Sequence, residues 1–122
     1  MALCRDNIIL DKADRFSNRI IKLYQYLINE KHEKIMSTQI YRCGTSIGAN
    51  TAESINASSK ADFVNKLLIA LKEADETKFW LDKIYFAQYI TELQYKSMLQ
   101  DNLEIIKILT SIIKTTKERY LR

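Results

Sequence analysis

A chain of 122 residues with no proline and only two glycines has almost nothing with which to turn sharply. Both glycines, Gly44 and Gly48, fall in one stretch, Gln39 to Ser54, which reads QIYRCGTSIGANTAES. Around them lie Gln39, Arg42, Asn50 and Glu53 and a run of small side chains found nowhere else in the sequence. The rest of the chain is amphipathic. This pattern predicts a few long helices joined by short polar connections. The length fits one domain, large enough to bury a core without disulfides or a structural metal.

Apolar spacing places the helices at about residues 11–29, 34–55, 60–88 and 91–118, with residues 1–10 as a partly ordered lead-in. Helix 1 carries Ala13, Phe16, Ile20, Leu23, Tyr24 and Leu27 on one stripe, and helix 2 carries Ile40, Cys43, Ile47, Thr51 and Ile55. Ser59 with Asp62, and Thr91 with Gln94, have the spacing of capping boxes at the starts of helices 3 and 4. The stripe of helix 3 is Phe63, Leu67, Ala70, Ala74, Thr77, Leu81 and Ile84, widened by Leu68, Leu71, Trp80 and Tyr85. That is broader than one packed partner requires, so helix 3 is expected to be buried on two sides. Helix 4 reads through Met98 or Leu99, then Leu103, Ile106, Leu109 and Ile113. Four such helices with short loops make an all-α fold, an antiparallel up-down-up-down four-helix bundle.

The net charge is +4, which permits an anionic partner without demonstrating one. Its distribution says more. Lys12, Arg15, Arg19 and Lys22 share roughly one quarter of the circumference of helix 1. Lys107, Lys114 and Lys117 make a second basic stripe on helix 4, followed by Arg119 and Arg122. A charged helix face is commonly just solvated surface, but its single sign here suits phosphate. Helices 1 and 4 are neighbours in the expected topology, so the two stripes could merge into one basic surface. Two unpartnered cysteines, Cys4 and Cys43, fit a reduced cytoplasmic protein. No segment reads as a signal peptide or a membrane span.

Within the central stretch, each glycine costs about 1 kcal/mol relative to alanine if helix 2 runs through it. Gly44, Gly48 and Ala52 fall on one face, where they let another backbone come close, either inside the bundle or across a subunit contact or docking groove. If helices 2 and 3 fold back near residue 58, Arg42 comes level with Glu73 and Glu76, Asn50 with Lys66, and Glu53 with free N–H groups at the start of helix 3. These residues read as clamps more readily than as catalysts. The single histidine, His32, falls in a connection, and Cys43 with His32 is a nucleophile pair that nothing orients. No metal-ligand spacing, Glu-x-x-His pair or phosphate-binding glycine loop is present, so no cofactor is expected.

The central block together with SKADFVNKLLIALKEADETKFWL resembles the four-helix-bundle family of 23S ribosomal RNA intervening-sequence proteins. Accessory variability proteins of bacterial diversity-generating retroelements belong to the same broad group. The residues that carry the likeness are Gln39, Arg42, Ser46-Ile47-Gly48-Ala49-Asn50 and Ala52-Glu53, then Asp62-Phe63, Ala70, Glu73, Glu76-Thr77 and Trp80-Leu81. Thr51 and Ser54 stand where the family usually has Ile and Gly. The resemblance implies a homopentameric ring or barrel that binds RNA or other structured nucleic acid, and in the retroelement relatives works with a reverse transcriptase. The expected function is therefore a non-enzymatic RNA-binding assembly, with a protein-interaction scaffold as the alternative.

Overall fold

The computed structural model describes residues 4 to 121, with side chains from residue 8 onward. Four helices account for nearly all of it: α1 (Cys4–Asn29), α2 (Ile35–Ser54), α3 (Lys60–Phe86) and α4 (Glu92–Tyr120). The described residues contain no strand. α1 starts well before residue 11, so most of the expected lead-in is helix, and Ile9 there is buried in the core. Met1 to Leu3 lie outside the described residues.

Local chemistry sets the helix starts. Ser59 Oγ accepts from the Asp62 amide at 3.0 Å, and Asp62 Oδ2 accepts from the Ser58 amide at 3.0 Å. Thr91 and Gln94 form the reciprocal box, with bonds of 2.9 and 3.1 Å. The start of α2 is different. Lys34 at its N-cap position offers no side-chain bond, and Glu33 does the work instead. Its buried carboxylate accepts from the amides of Ser37 at 2.8 Å and Ile35 at 3.1 Å. A carboxylate there satisfies orphan donors and complements the positive helix end. α3 ends with Gln88 in left-handed conformation (φ 66°) and the Tyr89 amide bonded back to Ile84 O, the pairing that closes a helix where glycine usually sits.

Each helix is packed on its two neighbours around the bundle: α1 on α2, α2 on α3, α3 on α4, and α4 on α1. Contact positions rise along one helix as they fall along the next. Glu53 meets Lys66 while Arg42 meets Glu76, and Tyr95 meets Asp82 while Asn102 meets Ala74. The core is one cluster fed by alternating three- and four-residue steps, such as Leu67, Ala70, Ala74, Thr77, Leu81 and Ile84 on α3. That period is the one that keeps a seam facing a partner helix at a shallow crossing angle.

Two stripes differ from the sequence expectation. On α2 the inner row ends at buried Ser54, while Ile55 is exposed beyond the helix. On α4 the buried row is Met98, Asn102, Ile105, Leu109, Ile112, Ile113 and Thr116, so Leu103 is exposed and Ile106 only half-buried. The pivot is Asn102, a fully buried polar residue whose Nδ2 donates to Ala74 O at 3.1 Å and whose Oδ1 has no partner. One turn along, Thr77 donates to Glu73 O at 2.7 Å and lies 3.3 Å from Cys43 Sγ. Burial pushes the Cys43 thiol up to about 11.

The glycines set the spacing of α1 and α2. A Cβ on Gly44 would stand 2.7 Å from Ile20 Cγ1 and 2.9 Å from its Cδ1 and Cγ2. A Cβ on Gly48 would meet Ser17 Oγ at 2.8 Å and Ala13 O at 3.4 Å. Ile20 is fully buried and has nowhere to go, whereas the half-exposed Ser17 hydroxyl can turn at the cost of its bond to Ala13 O, 2.9 Å. Gly44→Ala is therefore expected to destabilise by about 1–3 kcal/mol despite the better helix propensity. Gly48→Ala should stay within about 1 kcal/mol of wild type, since the propensity gain offsets the cost of turning Ser17. Urea unfolding of the two variants checks the ordering, and equal effects would contradict it.

The buried Cys43 thiol gives a second expectation. Iodoacetamide at pH 8 should alkylate it at least about 100-fold more slowly in the folded protein than in urea, because the raised pKa alone removes most thiolate. Peptide mapping reads that rate. The sign follows the raised value: the contribution of the neutral thiol is intact below the unfolded pKa of 9.0 and is lost as pH rises through about 11.

Candidate nucleic-acid interface

Phosphate recognition needs cations that are exposed and not already neutralised, so each basic side chain is judged by its partners. α1 turns its charged face toward α4, and α4 answers with acids three residues apart. Lys12 Nζ lies 2.5 Å from Glu104 Oε1. Arg19 Nη1 lies 2.6 Å from Asp101 Oδ2, and its Nη2 donates to Ser97 Oγ at 2.9 Å. Arg15 pairs with Asp11 one turn back on its own helix at 3.0 Å. Two of the four residues of the basic stripe of α1, Lys12 and Arg19, thus form an ion-pair seam joining the first and last helices. Lys22 is exposed and makes no ion pair among the described residues.

The cations of α4 are in a different state. Lys107, Lys114 and Lys117 are exposed and make no ion pair among the described residues. At roughly 100° per residue, Lys114 and Lys117 stand about 140–160° round the helix from Asp101, which faces α1. Lys107 alone reaches the α1 side, where it shares a small groove with Lys12, Glu104 and Ile8. Three of the four α1 cations are paired with acids, and Lys107 shares a groove with one of them, Lys12. Lys60 of α3 adds a cation near the end of α4, with its Nζ 4.6 Å from the Tyr120 ring centroid.

The small-residue motif sits on the other side of the bundle. Arg42 reaches across to α3, where it pairs with Glu76 and lies 3.5 Å from Glu73 Oε2. That Glu73 oxygen is buried and makes no hydrogen bond, so the ion pair is its one polar contact. Glu53 pairs with Lys66 at 3.4 Å instead of capping α3, because Ser59 and Asp62 already occupy that end. Asn50 does not reach Lys66. Its Nδ2 donates to Ser46 O at 2.9 Å on its own helix, and Ser46 Oγ donates to Arg42 O at 2.8 Å. Gln39 is half-buried one turn before Cys43. Gly44 and Gly48 face α1, as their contacts with Ile20 and Ser17 require.

The residues that sequence reasoning missed were acids. Asp101 and Glu104 share a face of α4 and are three apart in the sequence, a visible signal for pairing with a basic neighbour. Glu33 reads as loop and serves as a buried cap. Cys43 is buried beside Thr77, with its thiol pushed up to about 11, the opposite of an activated nucleophile. Among the described residues, no three His, Cys, Asp or Glu side chains converge to hold a metal. No helix of the described residues is long and apolar enough to cross a membrane.

The family model for the 23S rRNA-intervening sequence protein matches residues 5–111. A crystal structure of a protein of unknown function from the S23 ribosomal protein family of Bacteroides thetaiotaomicron is also similar. It is 54% identical, superposes with a TM-score of 0.89, and the match covers 90% of this chain and 98% of that one. No curated protein matches. The chain belongs to the 23S rRNA-intervening sequence protein family.

Proposed function

We propose that this member of the 23S rRNA-intervening sequence protein family is a non-enzymatic RNA-binding protein, an up-down-up-down bundle that works as a homopentamer. The observation that carries the reading is the set of unopposed cations on α4: Lys107, Lys114 and Lys117 are exposed and free of ion pairs among the described residues. Lys22 is the one member of the α1 stripe in the same condition. Lys12 and Arg19 would have to break inter-helix pairs to reach phosphate, and Arg15 a pair within its own turn. They contribute less, and the interface centres on α4. The family name supports RNA as the anion. Assembly multiplies the effect, since each phosphate neutralised releases counterions and repetition of the patch sums those gains.

A scaffold without nucleic-acid affinity is the second reading. It is favoured by large apolar side chains left in water, above all Phe86 at 84% and Leu93 at 81% exposure. Mass by light scattering, with and without RNA, separates the two.

Binding to a 23S ribosomal RNA fragment should weaken steeply with salt. The triple variant Lys107→Glu/Lys114→Glu/Lys117→Glu should lose at least about tenfold in affinity, and its log K against log salt slope should fall by about 2–3. Arg15→Ala should change affinity by less than about twofold, because that guanidinium is already paired. Salt-independent binding, or a triple variant that binds like wild type, would show that α4 is not the interface.

A further inference from the structure

α1 and α2 leave an open groove of about 780 Å³ between their outer faces. Its floor is flat because Thr45, Ala49 and Ala52 project little, and its α1 wall carries the carboxylates of Asp11 and Asp14. Asp11 is occupied by Arg15, whereas Asp14 is exposed and makes no ion pair among the described residues. Tyr41 closes one side with a half-exposed ring, backed by Tyr24 at 4.7 Å between centroids. A recess with small residues below, a free carboxylate on the wall and an aromatic face beside it suits a helix that alternates bulky apolar and cationic side chains.

α3 presents that pattern on its outside. Leu68, Lys72, Phe79, Lys83 and Phe86 fall within a sector of roughly 60° at 100° per residue, opposite the core stripe. Phe79 is 50% and Phe86 84% exposed, which no packing within the chain explains. Lys83 Nζ lies 5.3 Å from the Phe79 ring centroid, so cation and ring stand side by side on this ridge. The lengths agree too. Lys72 to Lys83 spans about 16 Å at 1.5 Å per residue, as does Leu10 to Ile21 along the groove wall.

We propose that the α1–α2 groove of one copy receives the outer ridge of α3 from a second copy, with Lys72 or Lys83 meeting Asp14. The contact is head-to-tail, because groove and ridge are different surfaces of the same chain. Repetition of such a contact closes a ring when the rotation allows it. This rests on the assembly reading above and names the surfaces that would make it.

The test uses two full-length variants at exposed positions, so that the fold is kept: Ala49→Arg fills the groove with a like charge, and Phe79→Glu disrupts the ridge. Circular dichroism should match wild type for both. Light scattering should show a multimer for wild type and the monomer mass of 14.3 kDa for each variant alone. An equimolar mixture should give a 1:1 dimer, because one variant keeps its ridge and the other its groove. A mixture that stays monomeric, or variants that keep the wild-type mass, would overturn this contact while leaving the assembly reading standing. A wild type that is monomeric at every concentration would overturn both.

Discussion

α1 and α2 approach closely at Gly44, and much of the architecture follows from that contact. Ile20 fills the space where a β-carbon would be, so the two helices sit nearer than side chains on both would permit. Dispersion gained along that seam offsets the propensity cost of two mid-helix glycines, about 2 kcal/mol. With α2 drawn in toward α1, its outer surface is formed by residues too short to project, which leaves the open α1–α2 groove. Arg42 is the long side chain that leaves this surface for the other flank, where it joins carboxylates of α3. Glycines on one side and the arginine on the other hold α2 between two neighbours.

Charge is divided with similar economy. Lys12–Glu104 and Arg19–Asp101 join α1 to α4, and both pairs are only partly shielded from solvent. Each contributes at most about 1 kcal/mol to stability. Their larger consequence is for availability: cations held by acids of the same chain are not free for an anionic partner. Among the expected phosphate contacts, what remains unopposed is Lys22 on α1 and Lys107, Lys114 and Lys117 on α4. The charge that matters for recognition is therefore a local surplus, and the overall value of +4 does not locate it.

The core stripes of α2 and α3 are legible from spacing because each keeps one unbroken run of three- and four-residue steps, Ile40, Cys43, Ile47 and Thr51 on α2 and Leu67, Ala70, Ala74, Thr77, Leu81 and Ile84 on α3. α4 is not, since Ile105, Ile106, Ile108, Leu109, Ile112 and Ile113 offer apolar surface on more than one side. A register through Leu103 and Ile106 fits the sequence as well as one through Asn102 and Ile105. The second is the one that packs, burying Met98, Ile105, Leu109 and Ile112 with Asn102, whose Nδ2 donates to Ala74 O. The proximity of Arg42 to Glu73 and Glu76 follows from the fold-back arithmetic. Glu53 departs from it because Ser59 and Asp62 already satisfy the start of α3. For the basic stripes, sequence gives positions but not partners, and partners decide whether a lysine is free.

The central claim is that Gly44 and Ile20 act as one unit that sets helix spacing. A double-mutant cycle on unfolding free energy with Gly44→Ala, Ile20→Ala and the pair tests it directly. Removing the isoleucine makes room for the added methyl, so the double variant should be more stable than the sum of the single effects by at least about 1 kcal/mol. Additivity within about 0.5 kcal/mol would mean that the two positions do not share that space, and the spacing of α1 and α2 would need another cause.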